Sequence, residues 1–159
     1  MKNIGNVVLW SLVIVSGILV GGSVFERVVL TPLWAGAPPA SVMAWPYGTI
    51  QRPFFETVTP IWALLALATF VLSFAMPAQA RPWARVAGVI GVAVMIWTVA
   101  FFIPLLMKTE ANRGAGLSGE DITRYTLQFV NWGLLRTAIA LAGWLAALRA
   151  LILVSRQDA

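Results

Sequence analysis

The side chains in this sequence that could do chemistry are carboxylates, guanidiniums, amides, hydroxyls and indoles, because it contains no cysteine and no histidine. That excludes disulfide or thiolate chemistry, an imidazole base, histidine-ligated haem and Cys/His zinc sites. The polar candidates gather in three places: Glu26 with Arg27, Arg52 with Glu56, and the run Arg124, Gln128, Asn131 and Arg136. At 3.6 residues per turn, Asp121, Arg124, Tyr125, Gln128, Asn131, Trp132 and Arg136 fall within about 140° of one another, which predicts a single polar and aromatic stripe.

An unpaired guanidinium in an apolar setting is costly, so the simplest partner for Arg136 is Glu26 or Glu56. One reading is a structural ion pair that locks helix ends together. The sharper reading is a pocket in which Arg136, Glu26 and Glu56 are candidate catalytic groups. Asn131, Gln128, Trp132, Arg52, Trp34 and Trp45 are then candidate substrate-binding residues, with Tyr47, Phe54 and Phe55 completing an apolar cap. The reading requires no metal and no cofactor. Trp10, Trp83 and Trp132 also suit the headgroup level of a bilayer. Glu120 and Arg124 read as an ordinary i,i+4 surface pair.

These groups need elements to position them, and the composition says what kind. Of 159 residues, 60% are hydrophobic and 11% charged, with a mean hydropathy of +0.85. Crossing about 30 Å of hydrocarbon takes roughly 20 apolar residues as helix. Four spans are predicted: 4–25, 57–76, 86–107 and 132–154, the last helix extending outward from about 119. Ser118 followed by Asp121 reads as the capping box that starts it. Thr57 to Pro60 reads as the start of the second span, with Pro60 in its first turn. The opening apolar run is longer than a signal-peptide core and reads as a retained first span.

The connection 26–56 holds Thr31-Pro32, Pro38-Pro39, Trp45-Pro46 and Arg52-Pro53. That density of proline predicts a long loop without a regular long helix, of the length usually found in lids and binding caps. Small residues at four-residue spacing predict helix contacts: Gly17 and Gly21 in the first span, and Ala138, Ala142, Ala146 and Ala150 in the last. The economical architecture is an all-α, antiparallel four-helix bundle forming one integral membrane domain over 1–159. Pro32 and Pro104 each follow an outward helix, but the rest of the two halves does not match, and no repeat is assigned. The short link from Pro77 to Arg85 is purely basic, which predicts that it and both termini lie on the cytoplasmic side.

There is no phosphate-binding loop, dinucleotide fingerprint, nucleophile with a histidine partner or Cys-x-x-Cys. The net charge of +5 comes from arginines at span ends, where lipid phosphate is the counter-charge, so no nucleic-acid partner is expected. Between their ends the spans offer only Ser11, Ser16, Thr69, Ser73 and Thr98, too few for an ion path. The expected partners are membrane lipid, a small aromatic ligand, and further copies of the chain or a larger membrane complex.

The chain resembles the anthrone-oxygenase-like family of small four-span membrane proteins. The resemblance rests on Gly21-Gly22-Ser-Val-Phe25, on Thr31-Pro32 in the long loop, and above all on Phe129-Val-Asn131-Trp132-Gly-Leu-Leu-Arg136-Thr137 leading into an alanine-rich helix. The family usually has an asparagine where this chain has Gly133. The resemblance implies oxidation of an anthrone-like phenol by molecular oxygen without metal or flavin, with Glu26 or Glu56 as base, Arg136 as clamp, and Asn131 or Gln128 orienting the substrate. The competing expectation is a non-catalytic accessory subunit or a lipid- or quinone-binding bundle.

Overall fold

The computed structural model describes residues 2–110 and 116–156, and among these the chain is helical throughout, without strands. In order the helices are α1 (Lys2–Phe25), a wide π turn (Glu26–Leu30), α2 (Thr31–Ala35), α3 (Ala40–Ala44), α4 (Tyr47–Ile50) and α5 (Arg52–Leu72). A 3₁₀ turn (Ser73–Ala75), α6 (Arg81–Trp97), a second π turn (Thr98–Phe102), α7 (Ile103–Glu110) and α8 (Gly119–Ser155) complete the chain. The π turns do not break their helices, so α1 to α2 is one rod, α5 a second, α6 to α7 a third and α8 a fourth. Each rod packs on the next and the fourth closes on the first, making a four-helix bundle. All four are long and apolar enough to cross a membrane.

Several boundaries differ from those read in the sequence. The first rod does not end at 25 but continues to Ala35, and Pro32 is carried inside it. An α-helix cannot place proline there cheaply, since the ring meets the carbonyl one turn back and a hydrogen bond is lost. The π turn admits an extra residue ahead of the ring: the Thr31 N–H donates to the Glu26 carbonyl, five residues back. Pro104 is accommodated in the same way, with the Ile103 N–H donating to the Thr98 carbonyl. The second rod begins at Arg52 with Pro53 in its first turn, so Pro60 lies inside the helix rather than at its start. The start of α8 is as expected: the Ser118 Oγ accepts from the Asp121 N–H at 3.1 Å. Arg124, however, pairs with Asp121 at 2.7 Å, on the same exposed turn, instead of with Glu120.

Small residues do bring the rods together, though not the full set expected. Ala146 and Ala150 are buried, but Ala138 and Ala142 face outward; the buried stripe of α8 is Ala140, Gly143, Ala147 and Ala150. On the third rod Gly88 faces the second so closely that a Cβ there would lie 2.9 Å from the Ala66 carbonyl oxygen. On the first rod Gly22, not Gly21, takes the close contact, against the Phe54 ring. Two indoles bond across the core, Trp62 Nε1 donating to Ser16 Oγ at 2.9 Å and Trp144 Nε1 to the Val13 carbonyl at 3.0 Å. Outside, Val7, Ile14, Leu64, Val71, Ile96 and Leu145 are all more than half exposed. In water such a surface would be an aggregation site; hydrocarbon is the solvent that suits it.

Candidate functional site

The polar chemistry collects where the first rod meets α8, at the end of the bundle that carries the 36–51 connection. The first rod contributes Ser23, Glu26, Arg27, Thr31 and Trp34, and α8 contributes Phe129, Val130, Gly133, Arg136 and Thr137. The α8 positions recur at three- and four-residue steps, which is what one helix face presents to a neighbour. Together they line a half-open cleft with about 20 Å³ of room for the centres of water-sized atoms. That admits a water or a single polar group, and not a multi-ring molecule, which needs several hundred Å³.

Each charged group in the cleft is held by something specific. The Glu26 Oε1 accepts from the Gln51 Nε2 at 3.0 Å, and the Gln51 Oε1 accepts from the Trp45 Nε1 at 2.8 Å. Gln51 is 2% exposed, so this relay ties the loop to the carboxylate through a buried amide. The Arg27 Nη1 donates to the Val130 carbonyl at 3.0 Å, clamping the first rod to α8. The Arg136 guanidinium carbon stands 4.2 Å from the centre of the Phe102 ring, so the third rod is joined to the same site by a cation–π contact. The positive field acting on Glu26 comes first from Arg136 and then from Arg27.

Behind the cleft the aromatic rings run as a chain of edge-on contacts: Trp34 to Phe129 at 5.9 Å, Phe129 to Phe102 at 5.4 Å, Phe102 to Trp97 at 5.5 Å, and Trp97 to Trp132 at 5.8 Å. Trp34 is 8% exposed, and its buried Nε1 has no hydrogen-bond partner.

The structure thus brings Glu26, Arg136 and Trp34 together, with Trp45 one residue removed through Gln51. It does not bring the other candidates with them. Glu56 pairs with Arg52 at 2.7 Å on the surface, the two side chains 62% and 56% exposed. Asn131 and Trp132 are exposed and Gln128, half-buried, does not line the cleft. The predicted stripe fails as a cleft wall because α8 turns a different face to the first rod. At 100° per residue, Phe129, Val130, Gly133, Arg136 and Thr137 centre about 130° from the stripe, with Arg136 at the shared edge. Phe54 and Phe55 stack edge-on with each other at 5.0 Å instead of capping the cleft. The Tyr47 side chain and the loop residues Asn112 and Arg113 lie outside the described residues. Gln51, Phe102, Phe129 and Gly133 are not legible as site residues in the sequence; one amide in a proline-rich stretch and two phenylalanines among apolar neighbours carry no distinguishing signal.

Fold and site together define a four-helix bundle of membrane-spanning dimensions with a charged cleft at one end. No family model, curated protein or solved structure matches the chain.

Proposed function

We propose that this is an integral protein of the bacterial cytoplasmic membrane, with both termini inside, and that its outer cleft takes the polar group of a small aromatic molecule. We further propose that it is a cofactor-independent oxygenase of anthrone-like phenols. The observation that carries this reading is that one cleft is lined by both Glu26 and Arg136. Glu26 takes a proton from the CH₂ carbon of the anthrone, leaving a delocalised anion whose charge develops on the carbonyl oxygen across the central ring, beside Arg136. The anion passes an electron to molecular oxygen and the pair recombine at that carbon as a peroxide. Proton return from Glu26 and loss of water complete the conversion: anthrone plus O₂ gives anthraquinone plus water. The cleft as it stands has room for one polar group only, so the ring bearing the CH₂ carbon reaches Glu26 only if the first rod and α8 part to admit it.

The test is oxygen uptake by the purified protein on 1,8-dihydroxyanthrone, against the spontaneous rate. Wild type should consume one O₂ per quinone formed, and Arg136→Ala and Glu26→Gln should each lower kcat by about 10²-fold or more, the usual contribution of a positioned base or oxyanion donor. Uptake unchanged in both variants overturns the assignment.

A second reading is favoured by the size of the cleft and by the hydrogen bonds already made by Glu26 and Arg27. It is a non-catalytic bundle holding a lipid or quinone, or serving a larger membrane assembly. Native mass spectrometry of protein extracted in mild detergent separates the two, since this reading expects a co-purifying lipid, quinone or polypeptide and no quinone product.

A further inference from the structure

We infer that the end of the bundle opposite the cleft holds the phosphate of an anionic phospholipid between Arg81 and Arg85. The two arginines stand one turn apart at the start of α6, so their Cβ atoms lie about 5–6 Å from each other on one helix face. Each is held by a neutral group of the link that precedes the helix. The Arg81 Nη2 donates to the Met76 carbonyl at 3.2 Å, and the Arg85 guanidinium carbon stands 4.4 Å from the centre of the Phe74 ring. The Nε of each is buried, but the Arg81 Nη1 and both Arg85 Nη nitrogens are open to the surface and meet no acceptor among the described residues. The stems are thus fixed in the protein while the outer edges of both guanidiniums stay available, and such edges suit the paired oxygens of a phosphate.

A carbonyl and an aromatic ring hold a guanidinium without cancelling its charge, and no carboxylate is at hand to do so. Among the described residues the acids all lie toward the other end: Glu26 follows α1, Glu56 is near the start of α5, Glu110 ends α7, and Glu120 and Asp121 open α8. The first turn of α6 contains no acid, so two cations at the positive end of its dipole repel that end as well as each other. An external anion offsets both terms. The surroundings make it a lipid: Phe74 and Trp83 are exposed aromatics of the kind that sit at headgroup level, and the exposed Val86 and Val89 follow one turn deeper, where an acyl chain can lie. The inference depends on the rods' spanning a bilayer and not on the chemistry of the cleft.

The experiment offers the full chain, in mild detergent, dioleoylphosphatidylglycerol and dioleoylphosphatidylcholine, whose tails are the same and whose headgroups differ in net charge, and reads retention by native mass spectrometry. Wild type should retain phosphatidylglycerol over phosphatidylcholine by about twenty-fivefold, roughly fivefold for each arginine. Arg81→Gln and Arg85→Gln should each cut the preference to about fivefold, and the double variant should abolish it. The single variants carry the test if the double variant does not fold. Replacing both arginines by lysine should leave a preference between those of wild type and the double glutamine variant, since lysine keeps the charge and loses the fork. Arg124→Gln, which removes the same charge from the far end, should change nothing, and excess inorganic phosphate should not displace the lipid. Equal retention of the two lipids, a preference that survives loss of both arginines or falls as much in Arg124→Gln, or displacement by inorganic phosphate overturns the inference. Oxygen uptake is read separately, so the proposed function and this lipid site can each fall without the other.

Discussion

At the scale of single residues, the two glutamates at the loop end look interchangeable in sequence, each next to an arginine near a helix terminus. The fold separates them completely. Glu56 and Arg52 form an exposed i,i+4 pair, the kind that contributes about 0–1 kcal/mol because water and salt screen it. Glu26 instead ends a relay through the buried Gln51 amide to Trp45. Replacing Gln51 by leucine keeps the volume but removes both hydrogen bonds of the relay, worth about 0.5–1.5 kcal/mol for the neutral one and about 1.5–3 kcal/mol for the one to the carboxylate. Gln51→Leu should therefore lower the midpoint of unfolding in detergent by several degrees, whereas Glu56→Ala should leave it within about 0.5–1 kcal/mol of wild type. An equal response in the two would mean that the relay does not hold the loop. Nothing in the sequence distinguishes Gln51, because the relay depends on where a proline-rich stretch folds back, and that is decided by the whole outer end.

Where elements pack, small residues were legible as a class and not as individuals. The four apolar runs and the cap of α8 could be read directly, since hydrophobic length and Ser118 with Asp121 are local signals. The proline positions misled because a wide π turn absorbs Pro32 and Pro104 without ending a helix, an outcome that local propensity rules do not encode. The glycine pair with the expected spacing, Gly17 and Gly21, is only partly in use: a Cβ on Gly21 meets nothing within 4 Å. Gly88 is the tight position, where a Cβ would also come 2.6 Å from the Phe70 Cβ. Gly21→Ala should thus be neutral or slightly stabilising, by up to about 1 kcal/mol from helix propensity. Gly88→Ala forces the second and third rods apart and should cost about 1–3 kcal/mol, as overpacked sites do. Denaturation of the two variants in the same detergent checks both signs, and a Gly88 variant as stable as wild type would mean that these rods do not approach as described.

For the molecule as a whole, the arrangement of buried and exposed groups is that of a protein solvated by lipid. Its core combines alanines with buried leucines and valines and is crossed by indole hydrogen bonds, while further large aliphatic side chains point outward around the middle of every rod. Leu64 is 68% exposed and lies midway along α5, so its environment is the surrounding solvent and not the core. The two candidate solvents give opposite signs for one substitution. In water, Leu64→Lys would exchange an exposed apolar side chain for a hydrated charge and should improve solubility at little cost. In hydrocarbon the same lysine sits near the centre of a span, where it costs about 2.5–3.5 kcal/mol even after its side chain reaches toward the headgroups. We expect Leu64→Lys to lower the fraction of protein that resists alkaline carbonate extraction from membranes. The same change at Thr57, exposed near the end of α5, should leave that fraction unaltered. A Leu64→Lys variant that extracts like wild type, or that becomes more soluble without loss of structure, would place the outward aliphatic belt against another protein surface or in water, and the cleft would then draw its ligand from there.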